Sequence, residues 1–257
     1  MKVAVRNVGG AAYGANPYRN REAQAATWRS LLATGADIVL AQEATGVNEP
    51  FLPPVGWRAN PASRLDRGAG SVVAVAEHVD ADLSWRPAHQ ALDAFDAYLD
   101  FALVQAVGMQ VAVASVHVPT LWQPDHWASS GIVGKMPSSL RPWTSDVILD
   151  SLISVLDGRE AIMAGDWNEA LNYPGDDDPD AAAFFARAAA AGYVEVVNKT
   201  FGGPVRTNFA RVAKRSYQND HVFVTSGIAA CLEQVAVFNE PAPGCSDHAG
   251  IVATFRD

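Results

Sequence analysis

Ala161-Ile162-Met163-Ala164-Gly165-Asp166-Trp167-Asn168 is a short apolar run that meets a glycine and then turns polar. A run of this length bounded by a turn former reads as a buried strand. An acid at the end of a buried strand is rigidly placed and faces a cleft rim. Asp166 and Asn168, two positions apart, are expected on the same side of that strand. The same arrangement recurs along the chain. Asn7 falls at the polar end of the short β-rich run at 3–8, Gln42-Glu43 closes the run at 37–42, and His117 closes the run at 110–116. Asp220-His221 opens a strand, and Ser246-Asp247-His248 sits just before the last one. Gathered at one rim, such strand ends make a preorganised polar pocket.

Between these ends the elements alternate. Residues 20–32 read as a helix with Asn20 as its N-cap and Gly35 as its stop. Residues 71–76 read as a buried strand, and 99–107 with 110–116 as a hairpin turning at Gly108-Met109. A long loop rich in Pro, Ser, Gly and Trp spans 119–142. Thr144 is expected to cap a helix to about Leu156, and Asp180 a second, Ala-rich helix stopped by Gly192. Strands at 220–224, 232–238 and 250–255 complete the pattern. Strands outnumber helices, and hairpins mix with crossovers, which predicts a two-sheet core with helices outside. Asp176-Asp177-Asp178 follows a Pro-Gly turn and reads as a solvated loop.

Bulk composition agrees with a globular chain. Of 257 residues, 49% are hydrophobic and 18% charged, enough to bury a large core. No composition break appears, so residues 1–257 are read as one domain. The 28 acidic and 19 basic residues give a formal charge of −9. That argues against nonspecific duplex binding through a broad basic surface, while leaving open a site made locally positive by a bound metal. Cys231 and Cys245 are too few for a disulfide framework and read as reduced thiols, one in a strand and one in a loop. The start, Met1-Lys2-Val3-Ala4-Val5, is strand-like, and no run reaches the ~18 apolar residues of a membrane span. A soluble, cytoplasmic protein is expected.

The residue types at the strand ends suit one task. Glu43 and Asp247 are hard anionic oxygen donors and Asn7 a neutral one, a set suited to Mg²⁺ or Mn²⁺ with open water positions. A zinc site would want cysteine or histidine clusters, and neither CxxC nor HExxH is present. Histidine suits proton transfer from an attacking water.

Val5-Arg6-Asn7-Val8, Ala41-Gln42-Glu43, Ser115-Val116-His117-Val118-Pro119, Gly165-Asp166-Trp167-Asn168, Asn219-Asp220-His221-Val222-Phe223-Val224 and Ser246-Asp247-His248 run in an order that resembles the endonuclease/exonuclease/phosphatase superfamily. Its members include DNase I-like nucleases, exonuclease III-like repair enzymes, sphingomyelinases and inositol-polyphosphate phosphatases. The resemblance implies a four-layer αββα sandwich of two mostly antiparallel sheets flanked by helices, with the site at one edge between the sheets. It places Asn7, Glu43 and Asp247 around the metal, His248 as general base, and Asp220 as the group that orients it. Asp166 and Asn168 would position nucleophile and phosphate, and His117 would stabilise the phosphate or the leaving group. Exonuclease III-like members usually carry Tyr there, so His117 points to the DNase I-like or sphingomyelinase-like side. The chain departs from the usual pattern at Arg6, where Trp is common, and at His221, which is expected to add a polar group near the site. The acids nearest the place where DNase I-like enzymes pair the first histidine are Asp66 and Glu77.

The resemblance thus implies Mg²⁺-dependent in-line hydrolysis of a phosphodiester, most readily of DNA or RNA. The 119–142 loop is expected to set specificity, with Trp122 and Trp127 stacking on bases, packing within the loop or touching lipid. Lys135, Arg141, Arg206, Arg211, Lys214 and Arg215 form a candidate phosphate-binding stripe, with Arg215 and Trp122 as the substrate contacts. A phosphoesterase of inositol phosphates or phospholipids and a catalytically silent binding relative are the alternatives.

Overall fold

The computed structural model describes residues 1–9, 21–44, 54–59, 70–93, 95–118, 144–172, 179–209, 217–238 and 246–256. In chain order the strands are β1 (Lys2–Asn7), β2 (Ile38–Ala44), β3 (Trp57–Ala59), β4 (Gly70–Ala76), β5 (Ala81–Asp82) and β6 (Leu99–Ala106), followed by β7 (Met109–His117), β8 (Glu160–Asp166), β9 (Tyr193–Glu195), β10 (Asp220–Thr225), β11 (Leu232–Phe238) and β12 (Gly250–Phe255). The helices are α1 (Arg21–Ala33), α2 (Gln90–Asp93), α3 (Thr144–Val155), α4 (Pro179–Ala190), α5 (Val196–Phe201) and α6 (Ser226–Ala230).

Two sheets result, ordered β11-β12-β1-β2-β4-β3 and β5-β6-β7-β8-β10-β9. Each is antiparallel except for one parallel pair near its middle, β1 with β2 and β7 with β8. Alternation along each strand divides the core into three. Val3 and Val5 of β1, Ile38 and Leu40 of β2, Val111 and Val113 of β7, and Ile162 and Ala164 of β8 meet between the sheets. Ala4, Val39 and Ala41 face the other way, toward Leu31 and Trp28 of α1. Ala112, Ala114 and Met163 face outward from the second sheet onto Leu149 and Leu152 of α3 and Phe184 of α4. This is the αββα sandwich. Fully burying each such aliphatic side chain contributes about 1.5–3 kcal/mol, so the stacked layers fix which face each strand presents.

Continuing that alternation past the apolar runs gives the site. Asn7 shares the parity of Val3 and Val5, His117 that of Val111 and Val113, and Asp166 that of Ile162 and Ala164. Asp220 shares the parity of Val222 and Val224 at the opposite end of its antiparallel strand. All four therefore point into the space between the sheets at the same edge.

Several details differ from the sequence reading. The β6–β7 hairpin turns at Val107-Gly108, both at positive φ (47° and 74°), not at Gly108-Met109. Such a two-residue turn matches the strand twist, and the buried Val107 side chain offsets its unfavourable backbone. α4 begins at Pro179, so Asp180 lies inside the helix, consistent with the preference of Pro for the first helical position. β3, β5, β9, α2, α5 and α6 were not expected; each is too short to show a period. Cys231 is a free thiol at the end of α6. Asn20, Cys245, Asp176-Asp177-Asp178 and the 119–142 loop lie outside the described residues. Among the described residues no helix is long and apolar enough to cross a membrane.

Gly165 is where the two parallel pairs approach. A Cβ there would lie 1.9 Å from the Val116 carbonyl oxygen and 2.9 Å from Gln42 Nε2, at a φ of 148°. Backbone cannot yield cheaply, so Gly165→Ala is expected to cost about 3 kcal/mol or more in denaturant unfolding. Gly158, with open space around its Cβ position, supplies the control. A loss at Gly165 no larger than that of Gly158→Ala would mean that the β7 backbone at Val116 gives way to the added methyl group.

Candidate active site

Glu43 reaches the inter-sheet space by a different route from its neighbours. On strict alternation it would follow Val39 and Ala41 to the outer face. Between the pairs Ala41↔Val72 and Ala44↔Gly70, however, Gln42 and Glu43 oppose the single residue Ser71, a β-bulge. Glu43 takes a left-handed backbone (φ 52°) within it. Gln42 stays between the sheets, where its Nε2 donates to Ser115 Oγ at 2.9 Å and Ser115 Oγ donates to Ala41 O at 3.2 Å. Glu43 turns to the site rim, with its Oε1 3.2 Å from Asn7 Nδ2 and 3.5 Å from His117 Nε2.

Asp166 lies at the centre. Its Oδ2 accepts a 2.8 Å hydrogen bond from Asn7 Nδ2 and lies 3.7 Å from His248 Nε2. Its Oδ1 accepts from the Asn168 backbone N–H at 3.2 Å. The residue is 2% exposed, so burial pushes its carboxyl pKa up. The Asp220 carboxylate adds to the rise, while His248, His117 and the Asn7 amide oppose it, and the net shift is upward.

His248 Nδ1 lies 2.8 Å from Asp220 Oδ2, which leaves Nε2 facing Asp166. Burial works against its charge, but Asp220, Asp166 and Asp247 outweigh burial and hold the imidazole well above the usual histidine range. Ser246 fastens this loop to β1: its hydroxyl donates to Asn7 O at 2.7 Å and accepts the His248 N–H at 3.1 Å.

Asn168 is close to Asp166 for a reason other than alternation. β8 ends at Asp166, and Asn168 adopts a left-handed turn (φ 49°). Its Nδ2 donates to Val118 O at 2.7 Å, and its Oδ1 accepts from Asn219 Nδ2 at 3.3 Å. Asp247 is less central than Glu43. Its Oδ1 lies 3.9 Å from His248 Nε2, and its side chain is 26% exposed. The carboxylate grouped with Glu43 and His117 is instead Asp166.

His221 is not at the site. It lies on the opposite face of β10 from Asp220, against Phe185 and Phe223, where its Nε2 meets Glu169 O at 2.9 Å. Strand alternation sends the two neighbours to opposite faces. Glu77 is an exposed turn residue, and among the described residues the acid facing His117 is Glu43. Arg6, in place of the usual Trp, is buried with its guanidinium 5.7 Å from the centre of the Phe238 ring on the outer face. Arg206 stacks on Phe209 at 4.2 Å. Trp122, Trp127, Lys135, Arg141, Arg211, Lys214, Arg215 and Asp66 lie outside the described residues. The sequence reading missed Tyr98, whose ring centre is 5.7 Å from that of His117. Its position before β6 carries no motif that would have marked it.

Donor chemistry here fits a hard dication. Ligand atoms of Glu43, His117 and Asp166 lie within 4.8 Å of one another, as do those of Asp166, Asp220 and His248. Several carboxylates converge in a mostly buried space, and the second oxygen of Asp220 is buried without a hydrogen-bond partner among the described residues. Oxygen donors in excess of nitrogen, with no thiolate, suit Mg²⁺ or Mn²⁺ better than Zn²⁺.

No family model and no curated protein matches the sequence. Solved structures do match in shape. An AP endonuclease from Archaeoglobus fulgidus is 19% identical over 100% of both chains, with a TM-score of 0.64. A 3′ phosphatase from Neisseria, bound to a product DNA hairpin, is 17% identical over 100% of both chains at 0.63. An AP endonuclease from Leishmania major is 13% identical, over 100% of this chain and 87% of that one, at 0.67. These likenesses show the fold, which is the DNase I-like endonuclease/exonuclease/phosphatase fold.

The left-handed backbone at Glu43 is a measurable strain. Glu43→Gly is expected to be more stable than Glu43→Ala by about 1 kcal/mol, the reverse of the usual order within a strand. Equal stabilities, or Ala the more stable, would mean that the bulge relaxes.

Proposed function

We propose that the chain is a divalent-metal-dependent phosphodiesterase that hydrolyses nucleic acid by in-line attack of water, as an endonuclease or exonuclease. One observation carries the reading above others: the Asp220–His248 pair aims Nε2 at Asp166, beside a second carboxylate, Glu43. The DNA hairpin held by the Neisseria neighbour supports DNA as the first substrate to try.

Glu43 and Asp166, with Asp247 beside His248, would hold Mg²⁺ or Mn²⁺, and Asn7, whose Nδ2 donates to both carboxylates while its Oδ1 accepts the Gly9 N–H, would join them through Oδ1 once its amide turns over. When bound, the cation supplies positive charge to a nonbridging phosphate oxygen and to the departing oxygen. The remaining work falls to side chains. Asp220 accepts from Nδ1 and so fixes the His248 tautomer, leaving Nε2 free to take a proton from water. Asn168, Asp166 and His117 position the phosphate and water and meet charge at the leaving side. Trp122 and Arg215 are proposed to contact the substrate beyond the scissile bond.

A second assignment is favoured by the direction of the two pKa shifts. A buried carboxyl raised above its usual range is a better base and an imidazole raised above its own a better phosphate clamp; in this assignment the cation is left to Glu43 and Asp247, and Asp166 and His248 exchange roles. The base is the group whose removal abolishes the acidic limb of the pH–rate profile.

Plasmid, single-stranded DNA, abasic-site DNA, RNA, phosphoinositides and sphingomyelin, each with Mg²⁺, form the decisive panel. Hydrolysis of nucleic acid is expected, and cleavage confined to the lipid or inositol substrates would move the chain to another substrate class. EDTA is expected to abolish activity, and Mg²⁺ or Mn²⁺ to restore it; turnover surviving full demetallation would remove the metal. His248→Ala is expected to lower kcat by about 10²–10⁴-fold in either role. Near-normal turnover in that variant would refute both assignments.

A further inference from the structure

Asp220 and His248 come from different sheets. Asp220 opens β10 in one, and His248 precedes β12 in the other, so neither ladder sets the distance between them. Thr207, Asn208 and Phe209 bond to the approaches of both. Asn208 forms antiparallel bridges to both Tyr217 and His248. Thr207 N–H donates to Tyr217 O at 2.9 Å, Ala249 N–H to Thr207 O at 2.7 Å, and Phe209 N–H to Asp247 O at 2.6 Å. Thr207 is fully buried, and its Oγ1 accepts the N–H groups of both Asn219 (3.0 Å) and Asp220 (3.1 Å). Those two bonds use both lone pairs of the hydroxyl. Asn219 in turn donates to Asn168 Oδ1.

We infer that Thr207 is a positioning residue: its hydroxyl sets the entry of β10 so that Asp220 meets His248 Nδ1 and Asn219 meets Asn168. Removing the hydroxyl takes this acceptor from two buried N–H groups, and the chain shifts to re-satisfy them, carrying Asp220 with it. Displacements of about 1 Å in such a site cost on the order of 10²-fold in rate. The kinetic part of the test rests on the phosphodiesterase reading; the spectroscopic part does not.

Thr207→Val and Thr207→Ser are compared with wild type in the full chain. The first readout is the low-field proton resonance of the His248–Asp220 hydrogen bond, assigned by its loss in Asp220→Asn. It is expected in wild type and Thr207→Ser and expected to vanish or shift in folded Thr207→Val. If Thr207→Val does not fold, Thr207→Ala, where a water can enter, is read instead, with a shifted resonance expected. The second readout is hydrolysis of bis(p-nitrophenyl) phosphate with Mg²⁺. Thr207→Val is expected to lower kcat about 10–100-fold with KM within about twofold, and Thr207→Ser to stay within about threefold of wild type. In the Asp220→Asn background, the further loss from Thr207→Val is expected to shrink to about threefold or less. An unchanged resonance in the folded Val or Ala variant overturns the inference, as does a kcat loss undiminished by Asp220→Asn. A wild type inert toward every phosphodiester overturns the proposed function but leaves the resonance to decide on Thr207.

Discussion

Asp166 is a carboxylate that the fold has taken out of water, and the arrangement around it is a set of ways to make that tolerable. An isolated buried carboxylate costs far more than a small domain's net stability unless neighbours compensate. Here the Asn7 amide, the Asn168 backbone N–H and the His248 imidazole do so, each from a different element. None is held by Asp166 alone. Asn7 is fixed by the β1–β2 ladder, Asn168 by Val118 O, and His248 by Asp220 and the Ser246 turn. A group compensated by partners that are themselves anchored cannot relax far when one is disturbed, and this rigidity is what preorganised electrostatics requires.

The same site stores strain in its backbone. Glu43 and Asn168 are two of three non-glycine residues with positive φ among the described residues, and the third is the hairpin residue Val107. At Glu43 the strain has a visible return: the bulge moves a carboxylate from the outer face to the rim shared with Asn7 and His117. At Asn168 the left-handed turn brings its own N–H back onto Asp166. Such outliers persist only where surrounding contacts over-determine them, and here the adjoining strands are almost wholly buried.

Much of this was legible from pattern. The apolar runs at 3–8, 37–42, 110–116 and 161–164 are strands, and the polar residues that end them do come to one edge, because parity carries through the end of a strand. Parity also explains the misreading of His221, since a neighbour of Asp220 on a regular strand must face away from it. Three features escaped because they are not periodic. A bulge adds one residue without altering the apolar pattern, so the redirection of Glu43 leaves no trace in the sequence. The turn after β8 places Asn168 by backbone conformation, not by count. Thr207 lies in a stretch with no apolar rhythm, where a buried threonine cannot be told from an exposed one. The role of Asp247 was inferred from residue type, and residue type does not distinguish the central carboxylate from one at the rim.

β1 occupies the middle of its sheet, with β2 on one flank and β12 on the other. The amino group of Met1 donates to the carbonyl of Phe255, 254 positions away. A ribosome delivers these two partners in the order least convenient for pairing. β2 can dock against β1 early, but the other ladder edge of β1 stays open until Gly250–Phe255 has emerged. An open edge of buried, apolar strand invites association with neighbouring chains. The same strand leads in from His248, so the sheet is sealed and the histidine is delivered in one late event, and a nascent chain has no complete polar pocket before its core is closed.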